Sequence, residues 1–340
     1  MPPPRRRHLP QAPPVNYLAV VDPHHFLPRT YEWNAALEQG LGRADVFSIT
    51  YLGAGGRKLM RQNIYIAPNP DFTGEFDLMR NGATSNYNAL QAQYRHHVSH
   101  GLQTLLSYTW GHAIDDVSSD VYFVSVPPDS PAGDQERGPS DYDIRNTFAG
   151  AVSYDIPGPR SGIAKPILEG WSTDSIIYAR SAPTVNVVTG QDPFNTGVLS
   201  GNYSVQRPNV VPGVPFYVDQ SNAPGGKIIN AAAFSIPVSG QGDLGRNALR
   251  GFGATQIDLA LRRQFKFTDR FSLQARGDLF NIFNHPNFGS PTNYLSSPLF
   301  GQSTQTLAAS LGSGGQGGGL NPLYQIGGPR SIQLALKLQF

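Results

Sequence analysis

Arg330-Ser331-Ile332-Gln333-Leu334-Ala335-Leu336-Lys337-Leu338-Gln339-Phe340 is the stretch that decides the fold. Ile332, Leu334, Leu336, Leu338 and Phe340 are apolar, and the residues between them are small or polar. Such period-2 alternation marks a strand, because successive side chains point to opposite faces. A soluble strand can alternate too, with one face on a core and one in water. Stopping on an aromatic residue fits a membrane-spanning strand better, with one face in lipid and the other on a polar lumen. These apolar residues are therefore candidates for a C-terminal assembly signal.

Composition points the same way. Of 340 residues only 15% are charged, against about 25% in ordinary soluble proteins. No run approaches the roughly 18 apolar residues of a membrane helix. Few charges without helical spans suit a barrel, whose apolar signal is diluted by alternation. The net charge of +2 carries no basic stripe, so nucleic acid is not an expected partner. With no cysteine, disulfides, thiol catalysis and cysteine metal sites are excluded. Met1 to His8 starts charged, but no apolar export segment follows, and Tyr17 to Val21 is too short to be one.

Alternation recurs along the chain. It appears around Tyr31–Leu37, Val46–Tyr51, Leu90–Val98, Leu102–Trp110, Phe148–Ile156, Ile257–Phe267 and Phe271–Leu279, more weakly over Leu168–Arg180, and again in the last segment. That predicts about nine strands of the length a tilted membrane strand needs. Tight turns are expected at Gly40–Arg43, Ser99–Gly101 and Thr268–Arg270, with a fairly short link at Pro157–Pro166. Long loops are expected at Gly53–Ser85, Gly111–Arg145, Ser181–Ala254 and Phe283–Pro329. Short turns on one rim and long loops on the other describe an antiparallel up-and-down transmembrane β-barrel segment, a partial barrel of about 9–12 strands with long extracellular loops. Residues 1–29 read as a leader or loop remnant without a signal peptide, and 30–340 as the C-terminal portion of the barrel. An odd strand count that starts outside suggests part of a larger protein.

Several short motifs are more specific. They are Ser85-Asn86-Tyr87-Asn88-Ala89-Leu90-Gln91, Tyr108-Thr109-Trp110 with Ile114-Asp115-Asp116, and Asp141-Tyr142-Asp143-Ile144-Arg145. Arg207-Pro208-Asn209, Gly245-Arg246-Asn247 and Leu249-Arg250-Gly251 follow, then Phe280-Asn281-Ile282-Phe283-Asn284-His285-Pro286-Asn287-Phe288-Gly289. In this order, over roughly Pro28 to Phe340, the chain resembles the C-terminal barrel half of Oar-like TonB-dependent receptors. The resemblance implies a barrel of about 22 strands with an N-terminal plug inside it, and often a carboxypeptidase-regulatory-like domain before the plug. It also implies TonB acting through that plug to admit ligand. No plug, regulatory-like domain or TonB-contacting box is legible in this sequence, and about nine strands cannot close such a barrel.

Little else carries chemistry. His96, His97, His100 and His112 could suggest a metal, but adjacent residues on a strand face opposite ways, and the rest fall at opposite rims. They read as turn and interface histidines, without the close ligand set that zinc needs. Asp115, Asp116, Asp120, Asp129, Asp134, Glu136, Asp141 and Asp143 make one loop acidic. Calcium or a cationic ligand is one reading. The spacing does not match an EF-hand, and a solvated loop with Asp143 pairing Arg145 near the rim is the plainer one. Gly251-Phe252-Gly253 and Gly312–Gly319 lack the context of a phosphate cradle. Trp33, Tyr108, Trp110, Tyr154, Trp171 and Phe283 are candidates for an interfacial aromatic girdle, with a soluble core as the alternative.

The expected function is the C-terminal barrel portion of an outer-membrane TonB-dependent receptor or transporter, with no catalytic residue, metal or cofactor. Its expected partners are outer-membrane lipid, the barrel-assembly machinery through the C-terminal strand, TonB through the plug of a full-length parent, and an unidentified external ligand. One alternative is a secreted or surface β-sandwich adhesin or carbohydrate-binding module. The other is an outer-membrane barrel hydrolase, although no Gly-x-Ser-x-Gly elbow is present.

Overall fold

In the computed structural model, residues 13–66, 69–118, 123–126, 136–159, 161–191, 206–238, 241–268, 270–310 and 326–340 are described. The first strands are β1 (Val15–Val21), β2 (Arg29–Leu41), β3 (Asp45–Ile66), β4 (Phe72–Ser99), β5 (Leu102–Asp115) and β6 (Phe123–Val126). Next come β7 (Gly138–Pro139), β8 (Asn146–Asp155), the short helix α1 (Lys165–Leu168), β9 (Trp171–Arg180) and β10 (Thr184–Val185). The chain continues through β11 (Asn209–Val210), β12 (Tyr217–Asp219), β13 (Lys227–Ile229), β14 (Phe234–Ser235) and β15 (Leu249–Arg250). It ends with β16 (Ala254–Lys266), β17 (Ser272–Phe280), the short helix α2 (Leu307–Ser310) and β18 (Ser331–Gln339). Among the described residues no helix is long and apolar enough to cross a membrane.

One sheet dominates. Its spine runs β18-β17-β16-β9-β8-β5-β4-β3-β2, every pair antiparallel and every neighbour next in line along the spine. This is the up-and-down meander that the nine alternating segments predict, in a single sheet rather than the two packed layers of a sandwich.

Register assigns the faces, because directly paired residues share one. Leu338, Leu336, Leu334 and Ile332 pair with Leu273, Ala275, Gly277 and Leu279. Those continue to Phe265, Arg263, Leu261 and Leu259, then to Trp171, Thr173 and Ser175. The same face runs on through Tyr154, Leu102, Tyr108 and Trp110 to Leu90, Tyr51 and Ala35. It is apolar almost throughout. Leu334 is 82% and Leu336 75% exposed. Moving one such side chain out of water is worth about 1.5–3 kcal/mol, so this face is most stable against hydrocarbon. The opposite face is polar. There Arg262 meets Asp174 at 2.9 Å, Ser153 donates to Asp174 at 2.5 Å, and Arg276 pairs Asp278 at 2.8 Å.

The two ends differ. At one end the hairpins turn tightly, with His100 and Gly101 both in the left-handed region. At the other end the loop expectations need correcting. Much of Gly53–Ser85 is strand: β3 and β4 have 22 and 28 residues. Strands of those lengths span roughly 70 and 90 Å, far more than the apolar band of a bilayer requires. Beyond the membrane length, β3 and β4 are flanked by β6 and β1, each added in parallel. β1 includes the apolar stretch Tyr17–Val21, for which no strand was expected.

Ser181–Ala254 is not structureless either. Its described part makes three two-stranded sheets, β10-β15, β11-β14 and β12-β13. These enclose a core of Val185, Val187, Ile229, Ala233, Phe234, Leu244, Leu249 and Phe300. Phe234 stacks on Phe216 at 5.5 Å and meets Phe300 edge-on at 6.0 Å. Phe300 belongs to the following loop, so two long loops build one packed module. Glycine permits the contact: Gly301 sits at φ +78°, and a Cβ there would lie 2.3 Å from the Ile229 carbonyl oxygen.

Candidate functional site at the long-loop end

The short motifs converge where the wall meets the module. Arg246 is 4% exposed at its side chain. It donates to the Asp115 carboxylate at 2.6 Å, the Asp115 carbonyl at 2.9 Å and Ser118 Oγ at 2.6 Å. Asn247 donates to Asp141 at 2.6 Å and to the Pro139 carbonyl at 2.8 Å. Arg250 reaches the Asp143 carboxylate at 2.5 Å and its carbonyl at 2.6 Å. Arg207 grips Glu136 through both carboxylate oxygens at 3.0 Å. Tyr217 extends the hub into the module core, its hydroxyl donating to the Arg250 carbonyl at 2.7 Å and accepting from the Arg250 N–H at 2.8 Å.

Asp143 is the centre of charge. Arg145 lies 3.2 Å away and His112 3.0 Å, and the Ala113 N–H donates to it at 2.8 Å. Burial pushes the carboxyl up, but donors from Arg250, Ala113 and His112 outweigh it and hold the group below the ordinary aspartate range. Asp116 accepts from the Thr84 N–H at 2.8 Å and its hydroxyl at 2.7 Å, tying β4 to the same hub.

The pairing of Asp143 with Arg145 matches the sequence reading. The solvated acidic loop does not: Asp115, Asp116 and Asp143 are all buried. Their partners Arg246 and Arg250 lie 131 and 107 residues away. The available signal was three arginines, each inside a short motif with Asn or Gly, in loops poor in other charge. Asp120, Asp129 and Asp134 lie outside the described residues, as do Met1–His8 and Gly312–Gly319. His96 sits on Asp45 at 2.7 Å and His112 on Asp143, at opposite ends of the sheet, so the geometry separates the histidines.

The Asn281–Asn287 run has its own task. Asn281 and Asn284 adopt positive φ, which asparagine tolerates. Buried Asn281 accepts from the His285 N–H at 2.9 Å and donates to the Gly328 carbonyl at 2.8 Å. Asn284 accepts from the Arg330 N–H at 3.1 Å. Asn287 brackets Thr255, accepting from its N–H at 2.8 Å and donating to its carbonyl at 3.0 Å. The motif therefore fastens the end of β17 to the starts of β16 and β18.

Register puts Trp33, Tyr108, Trp110, Tyr154 and Trp171 on the apolar face, with Trp110 towards the long-loop end and Tyr154 and Trp171 towards the tight turns. Phe283 follows β17 at the long-loop end and is 73% exposed. Ile332, Leu334, Leu336 and Leu338 line the outer face of β18, and Phe340 is 90% exposed beyond it.

The Outer membrane beta barrel domain family matches residues 2–332. No curated protein matches the chain in sequence. Among solved structures, the outer membrane transporter YddB from Escherichia coli is similar over 96% of this chain and 34% of its own, at TM-score 0.51 and 7% identity. FpvA of P. aeruginosa, solved with heterologous pyoverdines, is similar at TM-score 0.44 and 12% identity, over 92% of this chain and 27% of its own. The copper transporter OprC is similar at TM-score 0.38 and 12% identity, over 92% and 31% respectively. The chain thus spans about a third of the length of these barrels.

Proposed function

The chain belongs to the outer-membrane β-barrel domain family and resides in the outer membrane; from that premise we propose that it supplies the C-terminal wall and external face of an Oar-like, TonB-dependent receptor. Residues 30–340 form the wall and its outer loops, and β1 before them adds to β4. The observation that carries the reading is one meander with an apolar outer face, a polar inner face and a packed module at a single end. A passage needs all three: a lipid seal, a wettable lumen and a surface that meets ligand first.

The tight turns face the periplasm and the module faces outside. Among the described residues β2 pairs with β3 alone and β18 with β17 alone, so both edges await strands of a larger barrel, since an open edge is not tolerated in hydrocarbon. Trp33, Tyr108, Trp110, Tyr154, Trp171 and Phe283 serve as interfacial aromatics, and the β18 face is what the assembly machinery reads. The hub's buried charges hold one another, which suits scaffolding; no residue is assigned to catalysis. TonB acts through the plug of the full-length parent, and the ligand is a siderophore, oligosaccharide or peptide. The test is uptake of labelled ferric siderophores, oligosaccharides and peptides by cells expressing the full-length parent, with and without TonB. Uptake of one class that vanishes without TonB supports the reading; uptake indifferent to TonB overturns it.

A further inference from the structure

Near the tight-turn end, two cavities adjoin and share Trp171, Arg263 and Phe265. One, of about 620 Å³, lies at the rim between the start of β9 and the end of β16, and Lys266, Glu169 and Asp155 also line it. The other, of about 670 Å³, runs over β16, β17 and β18. Register explains its shape. On the apolar face Gly277 pairs with both Leu261 and Leu334, and Ala275 with both Arg263 and Leu336. Small residues on the central strand between large ones on its neighbours leave a trough.

Arg263 is a cation on an otherwise apolar face. Its guanidinium carbon lies 5.2 Å from the Trp171 ring centroid and 4.3 Å from that of Phe265, so two rings fix its plane. One amino group donates to the Pro166 carbonyl, and Nε is buried without a hydrogen-bond partner. Neighbouring Arg262 is neutralised by Asp174, and Glu169 lies 3.9 Å from Lys165. Among the described residues Arg263 has no carboxylate within ion-pair distance, whereas Lys266 alternates to the polar face with Arg262 and Gln264. Arg263 alone thus carries unpaired positive charge on the apolar face, where the rim cavity opens into the trough.

A cation at the mouth of an apolar trough matches an amphipathic anion. We propose that this site holds one anionic phospholipid of the periplasm-facing leaflet, its phosphate at Arg263 and one acyl chain along Ala275 and Gly277. Only the leaflet rests on the orientation given above; binding itself does not. Free phosphate would use Arg263 alone, and the adjoining trough is what favours a lipid.

The full chain in detergent, with Trp33→Phe and Trp110→Phe, leaves Trp171 as its one tryptophan. Phosphatidylglycerol and phosphatidylcholine, each brominated on the acyl chains, then report on the trough by quenching it. Phosphatidylglycerol should quench at a mole fraction about fivefold lower. Arg263→Gln should erase that preference, and Gly277→Leu should erase quenching by filling the trough. Gly277 lies on the open face, where an added Cβ meets only Leu334 at 3.4 Å, so this variant tests the site even if Arg263→Gln fails to fold. Equal quenching by both lipids overturns the proposal. So does a preference that survives the variants, or inorganic phosphate abolishing all headgroup discrimination without acyl quenching, which would leave an ion site only.

Discussion

In the wall, Leu334 and Leu336 lie open on the sheet surface, whereas in the module Ile229 and Leu249 are each 1% exposed. On the wall's polar face charges pair with near neighbours, Arg262 with Asp174 across strands and Arg276 with Asp278 along one; the module's Arg246 and Arg207 are buried on carboxylates from distant loops. The wall takes its apolar solvent from the bilayer and needs only alternation and register. The module stands in water, so it must carry its own core and join itself to the wall through desolvated ion pairs.

The sharpest way to break that comparison is to damage one region and read the other. Arg246→Ala strands buried Asp115, a loss of about 3–5 kcal/mol. Protease cleavage within 181–254 should accelerate while the wall keeps its heat-modifiable band on detergent gels; collapse of both together would mean they are one unit.

Next, Leu336→Arg places a charge on the lipid face, costing about 2–4 kcal/mol at mid-depth, whereas Gln333→Arg on the lumen face should cost close to nothing. Urea unfolding in liposomes separates them, and equal costs would undo the face assignment. A smaller effect is expected at Gly53. The Trp33 ring lies over it, 2.1 Å from where a Cβ would stand. Gly53→Leu should displace the ring at about 1–3 kcal/mol, read as a shift in Trp33 emission.

The subtlest test is pH. Asp143 has a lowered folded pKa, so its contribution is complete above the unfolded value of about 3.9 and is lost as pH falls through the still lower folded one. Module protection from protease should hold from pH 7 to about 4 and fail below that. Asp143→Asn should be less protected at neutral pH and should lose the part of the acid dependence that Asp143 supplies.

The wall was legible because alternation is local. The segments around Tyr31, Val46, Leu90, Leu102, Phe148, Leu168, Ile257, Phe271 and Ile332 became the nine spine strands, with faces as the pattern assigned them. The upper β3-β4 hairpin was hidden because its Gly- and Asn-rich sequence imitates a loop. The module was hidden because Val185, Ile229 and Leu249 sit in strands of two or three residues, too short to show a period, and Phe300 joins them from a loop. Its motifs were visible, but their pairings cross 71 to 131 residues, and nothing local marks Arg246 as the partner of Asp115.

Because the chain has no cysteine, single-cysteine accessibility tests the central claim, an outward module on a lipid-bounded wall, most directly. Val238 is fully exposed on the module and Arg43 sits in a tight turn. In intact cells expressing the protein, a membrane-impermeant maleimide should label Val238→Cys at once, and Arg43→Cys only after the outer membrane is permeabilised. Labelling of Arg43→Cys in intact cells, with Val238→Cys protected, would contradict the orientation and the function built on it.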